Sequence, residues 1–252
     1  VGTTSTTSVD PVAAVADVCE REGVWLHVDA AYGGPAAMVP DCAWIFDGVD
    51  RADSVVLNPH KWLFTPFDLS ACYCRRMDVV RAAFALTPDY LQTREAGTAR
   101  NLMDTGIQLG RRFRALKLWF VLRYFGAAGI RARLAEHVRL ARRFASWVDG
   151  HPEFERLAPV PLSVVCFRAV PRAGADADRA DQEQELDNLN AALLDRVNAS
   201  GEVFLSHTRI AGRFALRLAI GHLRTREAHV SRAWELLCAA LEVGRVRRTR
   251  RG

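Results

Sequence analysis

From Pro11 to Cys74 the sequence alternates between a helical apolar period and short apolar runs that stop abruptly at polar residues. That alternation limits the fold more than any other feature. Asp10-Pro11 can open a helix, because an aspartate accepts from free first-turn amides and proline suits the first helical position. Ala13 to Arg21 continues it and Gly23 closes it. Val24-Trp25-Leu26-His27-Val28-Asp29 then reads as a short buried strand ending in an acid, before the small run Ala30-Ala31-Tyr32-Gly33-Gly34. A second apolar run, Ser54 to Leu57, ends in Asn58-Pro59-His60-Lys61, and Leu69 to Cys74 is a third strand candidate. Strand, helix and strand at these lengths predict parallel α/β units, whose ligand sites lie beyond the carboxyl ends of the strands. Thr4, Asp29 and Lys61 all fall at such ends. The chain opens Val1-Gly2-Thr3-Thr4, without Met, and reads as the end of a strand whose beginning lies upstream.

The second half follows another pattern. Gly106 to Tyr124 has the spacing of a long helix, with Phe113, Leu116, Trp119, Phe120 and Arg123 in period. Gly126 and Gly129 interrupt it, and a second helix is expected from about Ile130 to Val148. Ser163 to Arg168 and Arg213 to Ile220 read as strands, Asp187 to Ala199 and Arg226 to Leu241 as helices, and Pro171 to Glu185 as a polar surface loop. The expected division is a large sheet domain over residues 1–120, then a connecting helix and a smaller α+β domain over 121–252.

Composition narrows the chemistry. Of 34 basic residues only Lys61 and Lys117 are lysines, so a reaction that needs a side-chain amine has two candidates. Five Arg lie in the last eight residues, and the rest of the chain balances 29 basic against 29 acidic residues. Such a tail reads as solvated terminus, and without interleaved aromatics it does not point to specific nucleic-acid binding. The six Cys form no CxxC pair and have no His at zinc spacing, so neither a metal site nor a disulfide framework is indicated. Buried reduced thiols are expected, with Cys72 and Cys74 on one face of a strand, which suits the cytoplasm. No uncharged stretch approaches the roughly 18 residues of a membrane helix, and no signal peptide is recognised.

Lys61 follows a buried strand at the mouth of a sheet, where partial burial would favour the unprotonated, nucleophilic amine. Read as a residue alone, it could equally be a surface lysine without a task. Asp29 would lose hydration at the end of an apolar strand unless it meets a cation. A turn or cap acid is the plain alternative, and a protonated pyridine nitrogen is a partner with chemical consequences.

Three segments carry a resemblance: Leu26 to Gly34, Asn58-Pro59-His60-Lys61-Trp62-Leu63, and Leu109 to Phe120. Together, in this order and spacing, they closely resemble the pyridoxal-phosphate-dependent aromatic L-amino-acid decarboxylases, group II decarboxylases with the aspartate-aminotransferase type of fold (type I, α/β). The similarity runs from Val1 to about Leu241. It implies pyridoxal 5'-phosphate as cofactor, Lys61 as its Schiff-base lysine and Asp29 as partner of the pyridine nitrogen. It also implies Ala31 as the small residue under the ring, Thr4 near the ring's O3′ side, and Asn58 and His60 near the phosphate or the Schiff base. Tyr90 matches the tyrosine of the family's mobile catalytic loop, here roughly Thr87 to Asn101, which would return a proton to Cα after CO2 leaves. A Phe at that loop position goes with oxidative aldehyde formation in the family, so Tyr90 implies plain decarboxylation to an amine.

The chain also departs from the family. Members are about twice as long, and the missing N-terminal half would hold the phosphate-binding turn, the His that stacks on the cofactor and the segment that wraps a homodimer. The expectation is a C-terminal fragment, active only with that half. Asp104-Thr105-Gly106-Ile107-Gln108 lacks the aromatic residue usual beside that Asp, which bears on substrate choice. Two further readings stay open: a non-catalytic homologue serving as dimer partner, and a related decarboxylase or aldehyde synthase.

Overall fold

A computed structural model describes residues 1–86, 101–171 and 179–249, and Tyr90 with most of its loop lies outside these. Helix α1, Val12–Glu22, ends where Gly23 takes φ 64°, and its basic Arg21 faces the carboxyl-end dipole. The expected Asp10 side-chain cap is not made; the Asp10 backbone carbonyl accepts from Val12 instead. Strand β1 is only His27–Asp29, because the Val24 amide donates back to the Cys19 carbonyl of α1 and the Leu26 amide to Asp53 Oδ2 rather than to a neighbouring strand. β2, Ser54–Leu57, runs parallel to β1, and β3, Ala71–Cys74, pairs antiparallel to β2. Between β2 and β3 stands the single turn α2, Pro59–Trp62, and after β3 comes α3, Met77–Phe84.

The helix expected from Gly106 starts nine residues later. α4 spans Ala115–Gly150, and Gly126 breaks its geometry at φ 64°, ψ 169°, where glycine alone is unstrained. Gly106 and Gly110 favour irregular backbone, and Arg112 and Arg114 pair sideways with Asp68 at 2.8 and 3.1 Å, so residues 106–114 form a strap rather than a first helical turn.

A second sheet follows, with β4 Phe154–Arg156, β5 Val164–Ala169, β6 Ser206–Ile210 and β7 Arg213–Ala219 in the antiparallel order β4-β5-β7-β6. Every residue of β5 is buried. α5, Arg179–Ala199, begins inside the segment expected to be loop, and α6, Glu227–Thr249, continues into the Arg-rich tail. Buried Asn190 of α5 donates to the Ala169 carbonyl and accepts from its amide at 2.9 and 2.7 Å, which satisfies the end of β5.

Two apolar cores result. One joins α1, β1 and the Trp62 turn to Ile130, Leu134 and Val138, and the other gathers the four-stranded sheet, α5 and α6 around Leu140, Phe144 and Val148. α4 therefore contributes to both and couples them. All six cysteines are free, but only Cys42 and Cys166 are buried; Cys72 is exposed, on a strand that is the sheet's edge among the described residues. Among the described residues no helix is long and apolar enough to cross a membrane, and no His/Cys/Asp/Glu group could hold a metal ion.

Candidate active site

The carboxyl ends of β1 and β2 are held together by their own backbone. Asp29 stands opposite Val56, and the ladder continues beyond the strands: the Ala30 amide donates to the Val56 carbonyl at 2.9 Å and the Asn58 amide to the Ala31 carbonyl at 3.1 Å. Lys61 comes next, its amide donating to the Asn58 carbonyl at 2.8 Å as α2 turns. Two motifs that are 29 residues apart in sequence at Asp29 and Asn58 thus share one sheet end.

Lys61 is exposed, not partly buried as its position suggested, and among the described residues its amine has no ion pair or hydrogen bond. A short turn on the sheet's open face leaves it there. Asp29 is exposed as well, on the His27 side of β1, and its Oδ1 accepts from the Ala31 amide at 2.8 Å. That bond fixes the carboxylate by local backbone, and among the described residues no cationic side chain pairs with it. Ala31 is buried and adds only a methyl at this edge.

His60 and Asn58 are oriented by the chain beyond Lys61. His60 Nδ1 accepts from the Leu69 amide at 2.9 Å, so the neutral ring carries its proton on Nε2. Ser70 donates to Asn58 Oδ1 at 2.6 Å, which leaves the Asn58 amide nitrogen as a donor. His60 keeps its Nε2–H, and Asn58 its two amide N–H groups, for a ligand.

Thr4 stands in a turn closed by the Thr7 amide on the Thr3 carbonyl at 2.9 Å, and its side chain is exposed. The nearby strand end is close: the Val1 nitrogen donates to the Asp29 carbonyl at 2.6 Å, and a Cβ on Gly33 would stand 2.8 Å from the Val1 oxygen. Glycine is required at that approach. The hydroxyl contacts of the turn run through Thr3, Thr6 and Ser8, not Thr4.

Sequence reasoning missed what lies beneath Lys61. Trp62 is fully buried, stacked on Tyr32 with ring centroids 5.0 Å apart at 9°, and its indole N–H donates to His137 Nδ1 at 3.0 Å. Tyr32 reaches Ser163 with its hydroxyl at 2.5 Å, and burial pushes its phenol up to about 12. Burial likewise pulls His137 down to about 4, against a hydrogen bond to the His222 backbone and the charge of Glu136, which favour the cation. The aromatic residues inside both motifs were the available signal.

Residues 1–170 match the model of the pyridoxal-dependent decarboxylase conserved domain. A phenylacetaldehyde synthase of Arabidopsis thaliana is 41% identical over 94% of this chain and 47% of its own length. A tryptophan decarboxylase of Camptotheca acuminata is 40% identical over 96% and 48%. The crystal structure of an Oryza sativa TDC with PLP and tryptamine superposes with TM-score 0.87 at 42% identity, over 95% of this chain and 49% of that one. The chain spans about half the length of the curated relatives it matches. Its two sheets and bridging helix have the aspartate-aminotransferase type of α/β fold, with pyridoxal phosphate as the cofactor of that family. The chain belongs to the pyridoxal-dependent decarboxylase family.

Proposed function

We propose that the protein removes the carboxylate of an aromatic L-amino acid, giving the amine and CO2, with pyridoxal 5'-phosphate at the β1–β2 end. The observation that carries this reading is the Asn58 amide on the Ala31 carbonyl, which joins strand ends carrying a fixed carboxylate and an amine without a partner among the described residues. That donor set fits the group: Asp29 suits a pyridine N–H, Lys61 an aldehyde carbon, Ala31 a flat ring, and the spare N–H groups of Asn58 and His60 an oxyanion.

When bound, pyridoxal phosphate supplies the electron sink that accepts the pair released from the Cα–carboxylate bond. Lys61 would hold it through its amine, and Asp29 would keep a proton on its pyridine nitrogen by accepting a hydrogen bond from it. His60 and Asn58 orient the site through their N–H groups, and the Thr4 hydroxyl is available on the strand-end side. Tyr90, which lies outside the described residues, would return a proton to Cα.

The reading includes a large domain over residues 1–120 and a smaller one over 121–252, a homodimer, and a cytoplasmic setting supported by the six free thiols. Trp119, Phe120 and Tyr124 on the first half of α4 offer exposed apolar surface to a second copy. The similarity to phenylacetaldehyde synthases supports one competing reading, release of an aldehyde. The proposed activity is that of the chain together with the missing half, so product analysis of the full-length protein with phenylalanine, tyrosine, dopa and tryptophan decides it: amine without hydrogen peroxide is expected, and aldehyde with peroxide overturns the reading.

A further inference from the structure

α2 is a single turn of four residues, too short to hold its own direction, so its tertiary anchor sets where Lys61 points. The anchor is Trp62. Its ring has no exposed surface, stacks on Tyr32 with centroids 5.0 Å apart, and meets His137 edge to edge in a near-parallel plane, its N–H satisfied on Nδ1 at 3.0 Å. The stack on Tyr32 allows the indole to slide in its plane; the directional N–H bond does not. With Nδ1 taken, the other imidazole nitrogen remains for the His222 backbone, beyond β7. His137 itself sits where α4 passes from one core to the other. The imidazole is therefore a hinge pin between the second sheet and the turn that carries the amine.

We infer that His137 is a positioning residue: through its hydrogen bond to the Trp62 indole it sets the direction of Lys61 at the β1–β2 end. The inference rests on the reading of Lys61 as the cofactor lysine. It makes the placement of the second sheet and the presentation of the amine one coupled arrangement. His137→Phe keeps a buried ring and loses the acceptor, whereas His137→Asn places an amide oxygen near the Nδ1 position. Trp62→Phe removes the donor.

The two lysines make the test internally controlled. The full-length protein is treated with pyridoxal phosphate and borohydride, and the ratio of pyridoxyl label on Lys61 to label on Lys117 is measured by peptide mapping. His137→Phe and Trp62→Phe are each expected to lower that ratio on the order of tenfold, the cost of a misdirected reacting group. The double variant falls no further than either single, and His137→Asn recovers most of the loss. An unchanged ratio in a His137→Phe protein that melts cooperatively, no recovery in His137→Asn, or multiplying losses in the double variant overturns the inference. Reductive methylation with ¹³C-formaldehyde gives a second readout that needs no cofactor. The Lys61 dimethyl signal should shift in His137→Phe and return in His137→Asn while that of Lys117 stays put, and an unmoved Lys61 signal contradicts the inference. Failure of the unaltered chain to label Lys61 preferentially is a different result: it counts against the proposed function and leaves the methyl signals to decide on His137.

Discussion

Tyr32 and Trp62 stack face to face, 5.0 Å between centroids and 9° between planes, so the small-residue run after β1 and the lysine turn after β2 share one aromatic joint. The Tyr32 hydroxyl then crosses to Ser163, immediately before β5, and ties that joint to the second sheet.

Breaking that crossing should cost stability out of proportion to one atom. Ser163 has no exposed surface, so Tyr32→Phe leaves its hydroxyl buried without this acceptor or donor, a loss of about 1–3 kcal/mol. Tyr32→Phe with Ser163→Ala should cost less than the two single losses added, because both probe one bond. Urea melts of the three variants measure this, and full additivity contradicts it.

Acid should weaken the same region. His137 is held near 4 in the folded chain against 6.5 ordinarily, burial being the first cause, with the His222 backbone and Glu136 opposing and the His222 charge adding to the fall. Because the folded value is the lower one, the unfolded chain takes up the proton first as pH drops. The contribution is whole above about 6.5 and is lost as pH falls to about 4, up to about 3 kcal/mol. Urea midpoints at pH 7, 5.5 and 4 should decline in the unaltered chain and decline less in His137→Phe.

Gly33→Ala should loosen the Val1–Gly2 segment. Its Cβ would meet the Val1 carbonyl at 2.8 Å, backbone that cannot swing away like a side chain, for a cost of about 1–3 kcal/mol. Faster amide exchange at Gly2 and Thr3, with β7 unchanged, is the expected signature.

Asp68 clamps the strap ahead of α4 through Arg112 and Arg114; burial raises its carboxyl, but its own backbone N–H, then Arg114 and Arg112, outweigh that and hold it below the usual range. Asp68→Asn should therefore speed proteolysis within residues 106–114, and added salt should do the same to the unaltered chain. Unchanged cleavage in both would mean that the strap is held by other contacts.

The strand ends were legible because chemistry and punctuation coincide there: Ser54 to Leu57 is β2 as expected, and Asp29 and Lys61 do end up at neighbouring strand ends. Boundaries set by distant contacts were not legible. Nothing local tells that Trp62 donates to a histidine 75 positions away, or that the Arg112–Arg114 run turns aside to Asp68 instead of starting a helix. The polar stretch from Arg179 hid the start of α5, whose Glu183 pairs with the buried Arg168 of β5. Exposure of Lys61 was missed because a strand end in sequence does not say which side of the sheet is covered.

The central claim is that Lys61, one of two lysines, is the amine that binds the cofactor. Incubation of the full-length protein with pyridoxal phosphate, borohydride reduction and peptide mapping tests it directly. The expected result is one pyridoxyl group on the peptide carrying Asn58-Pro59-His60-Lys61, abolished in Lys61→Ala; label on Lys117, or on neither lysine, contradicts the account.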